Sequence, residues 1–269
     1  MTPPNRYSDA ELESIQARYV GQADGAWSAS AWPGLEARSL GLDESSSGLF
    51  GAWALRVGGG VGSDVARELG VPFHMIYVRR GAVTVVEADG TSTRLGPDDA
   101  VHHPAGSRFA LTEPTDDLEA VELTERGPDR QDRGARRAAL YAFDTPEASV
   151  LGAGPRPNVI YRDLGTAAAT GGRIRMQVNQ AEEPVTDMLI WHFHDMAQWF
   201  IVLDGWADVE VRDHPRYRVE PGDALCIGAG RGMCHNVANI GPGFKILELC
   251  TPATYETWSI DPPEPVAAT

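Results

Sequence analysis

Arg38-Ser39-Leu40-Gly41 and Arg162-Asp163-Leu164-Gly165 lie 124 residues apart, and outward from that pair the chain repeats itself. At the same offset Gly48 meets Gly172, Gly81 meets Gly205, Val85 meets Val209 and Arg94 meets Arg218. Pro97, Asp99 and Ala100 then meet Pro221, Asp223 and Ala224, and Ala105-Gly106 meets Ala229-Gly230. Beyond this point the offset grows by two, and Glu122-Leu123 meets Glu248-Leu249. A chance glycine match is common, but a constant register over roughly 70 positions is not. The chain therefore holds two copies of one structural unit.

Each copy reads as short strands separated by turn signals. Ile174, Met176 and Val178 alternate with Arg173, Arg175 and Gln177, the pattern of a half-buried strand. Phe200 to Leu203 runs into Asp204-Gly205, a type I′ hairpin signal, and Trp206 to Val211 reads as the return strand. Val83 to Glu87 before Asp89-Gly90 repeats the pattern in the first copy. With 29 glycines and 19 prolines among 269 residues, the composition also favours an all-β fold, a barrel or sandwich, over a helical bundle.

Charge narrows the partners. The formal net charge is −15 and Lys245 is the sole lysine, so phosphate backbones and anionic bilayers are repelled. Neither nucleic acid nor membrane is expected as a partner. The longest bulky apolar run, Trp199 to Leu203, is far too short for a span, and no secretory signal is visible. Cys226, Cys234 and Cys250 are too few and odd in number for a disulfide framework, so a cytoplasmic protein is expected. No Ser/His/Asp spacing, P-loop or dinucleotide-binding glycine signature stands out.

The expected organisation is an N-terminal helix and arm (1–34), a first barrel (35–126), a linker (127–158), a second barrel (159–253) and a tail (254–269). Ser8-Asp9-Ala10-Glu11 is a capping box, predicting a short helix running towards Val20. Arg130, Arg133, Arg136 and Arg137 in the linker read as a solvated face, and Asp261 to Pro265 as an extended tail.

The chemistry-bearing residues lie in the second copy. His192, His194 and Gln198 differ by even numbers, so on neighbouring extended strands all three can face one interior. His235 arrives from a later strand after the turn Gly228 to Gly232. Imidazoles inside an apolar barrel need partners for their ring nitrogens, and a divalent metal supplies one. Glu248, in an apolar strand, is either a partner behind a metal-bound imidazole or half of an ion pair with an arginine across the sheet. Cys234 is expected to point away from His235, and Cys226 to face the cavity.

His192-x-His194-x3-Gln198-x6-Gly205 resembles the first motif of the cupin superfamily, with Gln in place of the usual Glu. Gly222-x5-Gly228-x-Gly230 followed by His235-x3-Asn239 resembles the second. Thr186 stands where the first motif usually has Gly, Gly228 where the second has Pro, and two extra residues precede His235. The resemblance covers both copies. It implies a bicupin, with two tandem jelly-roll-like barrels and one divalent transition metal held by His192, His194, Gln198 and His235. Fe(II) is the expected metal, with Mn, Ni, Cu or Zn as alternatives.

The first copy fails the same test. Glu68, Gly70 and His74 fall where His192, His194 and Gln198 stand, and Phe109 takes the place of the third histidine. His102 and His103 lie nearby, so a rearranged site among Glu68, His74, His102 and His103 stays open. A structural role for this barrel, packing against its twin and completing a homodimer surface, is the expectation.

Three histidines and a neutral amide leave a bound metal its full 2+ charge. That favours an anionic substrate or an oxygen-derived anion on the metal, and Gln198 lacks the charge of a general base. The combination points to a dioxygenase-type oxidoreductase using O2 on a small organic substrate, with aromatic and anionic compounds as the candidates. Gln198 and Glu248 are its candidate catalytic residues. A non-redox isomerase, cyclase or lyase, and a binding barrel without catalysis, remain as alternatives because this fold hosts many functions.

Overall fold

The computed structural model describes residues 7–59, 65–125, 142–145, 152–153 and 158–263. It divides into two compact units, residues 24–149 and residues 1–23 with 150–269. Each unit is built from two antiparallel sheets around its own apolar core, as the all-β reading requires.

In the unit 24–149 the larger sheet runs Ala142–Asp144, Ala100–Pro104, Phe73–Arg80, Glu119–Glu125, Phe50–Val57, Leu35–Ser39, Ser28–Ala29. The smaller runs Arg67–Glu68, Arg108–Thr112, Val83–Glu87, Ser92–Leu95. In the other unit the larger sheet runs Arg18–Val20, Ala224–Ile227, Ala197–Asp204, Lys245–Thr251, Arg175–Ala181, Val159–Asp163, Gly152–Ala153. Its smaller sheet runs Tyr217–Val219, Ala207–Val211, His235–Ile240, His192–His194, Thr257–Ser259.

The repeat register is visible element by element. Leu35–Ser39, Leu42–Ser45, Phe73–Arg80 and Val83–Glu87 recur 124 residues later as Val159–Asp163, Thr166–Ala169, Ala197–Asp204 and Ala207–Val211. Glu119–Glu125 recurs 126 residues later as Lys245–Thr251, so the two-residue insertion falls before the strand that carries His235. Gly81 and Gly205 show why their turns need glycine. Both have positive φ (69° and 64°), and a Cβ on either would lie 2.8 Å or less from backbone of Leu118 or Phe244. Asp204 is not in the left-handed region, so the hairpin is not of type I′, which requires two such residues.

The copies also exchange their leading strands. Arg18–Val20 and Ala142–Asp144 are counterparts at the same offset, yet Arg18–Val20 pairs with Ala224–Cys226 and Ala142–Asp144 with Ala100–His102. This corrects the expected N-terminal helix. The capping box is present, but the helix spans only Asp9–Glu13, and the aromatic and β-branched residues Tyr19 and Val20 enter the sheet instead. Most of residues 127–157, including the four arginines, lie outside the described residues; so do Glu264 and Pro265 of the tail.

Central strands of both larger sheets are buried on both faces, which is why Ala197–Asp204 reads as a continuous apolar run. Phe200 and Val202 point into the barrel with Leu225, Ile227 and Val209, whereas Trp199 and Ile201 are buried on the opposite face. Cys226 lies opposite Trp199 in register and so faces away from the interior, correcting its expected cavity position.

Candidate metal centre

Two of the crossings between the sheets of the second barrel assemble the site. His192 and His194 sit on a strand of the smaller sheet, and four residues after His194, Gln198 stands second in a strand of the larger sheet. The return crossing runs from Ala224–Ile227 through a short helix, Arg231–Met233, to His235. The Gly230 amide donates to the His194 carbonyl at 2.7 Å, tying the second crossing to the first, and His192 faces His235 in register.

One ligand nitrogen from each of His192, His194 and His235 lies within 4.8 Å of the others, a spacing that can hold a metal ion. No other trio of His, Cys, Asp or Glu does so among the described residues. The rings are oriented from behind. Nδ1 of His192 lies 2.8 Å from the Ile190 carbonyl, Nδ1 of His194 lies 2.8 Å from Thr257 Oγ1, and Nδ1 of His235 lies 3.1 Å from the Met233 carbonyl. The carbonyls behind His192 and His235 accept only from Nδ1–H, which leaves Nε2 of those rings to meet a cation, and Thr257 Oγ1 can accept from His194 in the same way. Gln198 is 8 % exposed, and its Nε2 lies 2.8 Å from His235 Nε2. The side chain thus reaches the same lone pair, and rotation of the amide would present its oxygen there instead. This donor set of imidazoles and an amide fits a divalent transition ion.

The histidines open into a cavity of about 220 Å³. Its walls are largely apolar, with Phe200, Ile227, Phe244 and Ile246, and its remaining polar groups are Tyr161, Gln177, Asn179, Glu248, Tyr255, Thr257 and Ser259. Glu248 accepts from Gln177 Nε2 and from Asn179 Nδ2, each at 2.6 Å on Oε2. Neither role expected of Glu248 is seen: its partners are amides, not a ligand imidazole and not an arginine. Burial pushes the Tyr255 hydroxyl up, assisted by Cys250 and Glu248, so it is a neutral phenol stacked edge-on to His194. Burial and then Glu248 likewise hold the Cys250 thiol well above its usual range.

Residues 172–249 match the cupin domain family. The second unit therefore carries a cupin domain. No match was found among curated proteins. Among solved structures the chain resembles protein YlbA of Escherichia coli (TM-score 0.68, 13% identity, covering 90% of this chain and 93% of that one). It also resembles a putative glyoxylate-induced protein of Pseudomonas aeruginosa (TM-score 0.64, 11% identity, 94% and 92%). A mutant of Bacillus subtilis oxalate decarboxylase follows (TM-score 0.60, 14% identity, 96% and 82%), and another structure of that enzyme is described by its Mn(II) centres. At these identities the likeness is one of fold.

The first barrel fills the corresponding space with side chains. Trp32, 1 % exposed, and Phe109 pack at 4.8 Å between centroids, and Phe109 stacks on His103 at 3.8 Å. Trp32 Nε1 donates to Glu122, which also lies 2.9 Å from His74 Nε2, while His103 Nε2 lies 3.0 Å from Glu87. Glu68 is exposed at the sheet edge and joins none of this. His74, His102, His103 and Glu68 therefore gather no metal trio.

Sequence reading missed Gln177, taken as part of the polar half of an alternating strand, Asn179 just beyond it, and Tyr255 and Thr257, which fall in the tail. The repeat held the signal for the first two. Their counterparts are Trp53, packed against the core, and Leu55, which is buried, so the row faces inward in both copies.

Proposed function

We propose that this protein is a metal-dependent oxidoreductase of dioxygenase type acting on a small organic substrate, with Fe(II) held by His192, His194, Gln198 and His235. The observation that carries this reading is the donor set: three imidazoles hydrogen-bonded from behind at Nδ1, which leaves Nε2 for a cation, and an amide where a carboxylate would offset the charge. Bound there, a redox metal supplies binding positions for an oxyanion of the substrate and for O2. The chain's own part is orientation and exclusion of water. Phe200, Phe244 and Ile246 keep the cavity apolar, Thr257 holds His194, and Glu248 meets the substrate from the opposite row of the sheet.

Glu248 also favours a second reading. A carboxylate in the cavity can move a proton, which suits a non-redox lyase or isomerase in which the metal stabilises an enolate. One experiment separates the two: a panel of small phenols, diketones, amino acids and 2-oxo acids in an oxygen electrode, repeated under strict anaerobiosis. Oxygen uptake coupled to substrate loss is the expected result. Turnover without oxygen overturns the dioxygenase reading in favour of the second.

A further inference from the structure

We infer that the substrate of this cavity is a small zwitterion, its oxyanion at the histidine end and an ammonium group at Glu248 and Asn179. The inference rests on the reading of the cavity as a substrate site beside a metal, and it comes from the far wall of that cavity. Glu248 Oε2 accepts from both Gln177 and Asn179, and a carboxylate oxygen at 2.6 Å tolerates only the NH2 face of an amide. Both amides are thereby locked with their carbonyl oxygens turned away from the carboxylate. Asn179 is 9 % exposed, lines the cavity, and its Oδ1 is buried with no hydrogen-bond partner. Buried acceptors without donors are rare and call for a partner.

Charge gives that partner its sign. Glu248 forms no ion pair among the described residues, and Arg175, next in the same inward row, lies 3.8 Å from Asp163 instead. A carboxylate held by the amides of Gln177 and Asn179 and by the Cys250 thiol, all neutral donors, is best completed in an apolar cavity by a cation bearing N–H groups. The opposite end, with neutral ligands on a divalent ion, takes the anion. Scale agrees with a short molecule. Glu248 lies opposite Phe200, two residues along the strand from Gln198, which puts the two ends roughly 7–8 Å apart at their Cα atoms. The cavity is also smaller than the ~300–1,000 Å³ typical of drug-sized ligands.

The test uses β-alanine, propionate and propylamine as probes of purified full-length protein, by ligand-observed NMR, with the metal loaded and after stripping with a chelator. On the loaded protein β-alanine should bind at least about tenfold more tightly than propionate, the worth of one charged hydrogen bond. Glu248→Gln should erase that difference by weakening β-alanine without weakening propionate, and Asn179→Ala, a milder change, should reduce it. Propylamine on the stripped protein isolates the acceptor end: wild type should bind it and Glu248→Gln should lose it. Equal affinities for β-alanine and propionate, no binding of the probes, or an unaltered preference in both variants would overturn the proposal. Failure of the metal reading looks different, since propionate would then bind stripped and loaded protein alike while the propylamine result stood.

Discussion

Replacing Glu87 by Gln should stabilise the first barrel above neutral pH and do so progressively less as the solution is acidified. Burial, assisted by Asp89, raises the Glu87 carboxyl from 4.5 to about 7, and burial with His74 and His102 nearby lowers His103 to about 3. Near pH 6 both partners are therefore neutral, and the Glu87 O–H donates to His103 Nε2 across 3.0 Å. A carboxyl whose folded pKa is raised contributes stability that is present below pH 4.5 and lost as pH climbs to about 7. Each pH unit across that window is about 1.4 kcal/mol, giving at most about 3 kcal/mol. His103 acts with the opposite sign, its contribution falling as pH drops below 6.5, so in wild type the two slopes offset each other over part of the range. The amide introduced by Glu87→Gln would keep a donor for His103 and remove the carboxyl titration. The melting temperature of Glu87→Gln minus that of wild type should thus rise between pH 5 and pH 8 by about 5–10 °C and then level off. Thermal unfolding in a buffer series, followed by near-ultraviolet circular dichroism, checks this. A difference that is flat, or that shrinks towards pH 8, would refute the reasoning.

Other outcomes bear on the second barrel. Thr257→Val removes the hydrogen bond behind His194 and should weaken metal affinity by about 10–100-fold in chelator competition without altering the melting profile of metal-free protein; unchanged affinity would contradict the orienting role. Gln198→Glu should retain metal, because carboxylate is also a competent ligand, but it lowers the net charge of the site by one. Azide should therefore bind the loaded variant more weakly than wild type, and equal azide affinity would show that the amide does not set the charge. In the first barrel, Trp32→Ala should cost about 3–5 kcal/mol in denaturant unfolding, and a negligible loss would mean that Trp32 does not fill that interior.

Much of this was legible because duplication doubles every signal. Glycines forced into positive φ by close backbone, such as Gly81 and Gly205, mark the register more firmly than apolar residues, which exchange freely within a core. The parity of His192, His194 and Gln198 survived although the chain crosses between sheets after His194, because the crossing keeps all three facing the same interior. What stayed hidden depended on neighbours far away in the chain. Arg18–Val20 is a strand because an edge of Ala224–Ile227 is open to it, which no local pattern around Ser8 reports. Gln177 looked solvated because polar alternation normally means an exposed face; its burial, and that of Asn179, goes with Glu248, some seventy residues later. Cys226 was placed by composition, and only the pairing with Trp199 reveals which face of the strand it occupies.

The most direct test of the metal centre is elemental analysis of protein purified without added metal, alongside His192→Ala, His194→Ala, His235→Ala and His74→Ala. Wild type and His74→Ala should each carry close to one equivalent of a first-row transition metal, and the other three variants should lose most of it. Two equivalents in wild type, or retention in His192→Ala, would contradict a single site built from His192, His194 and His235.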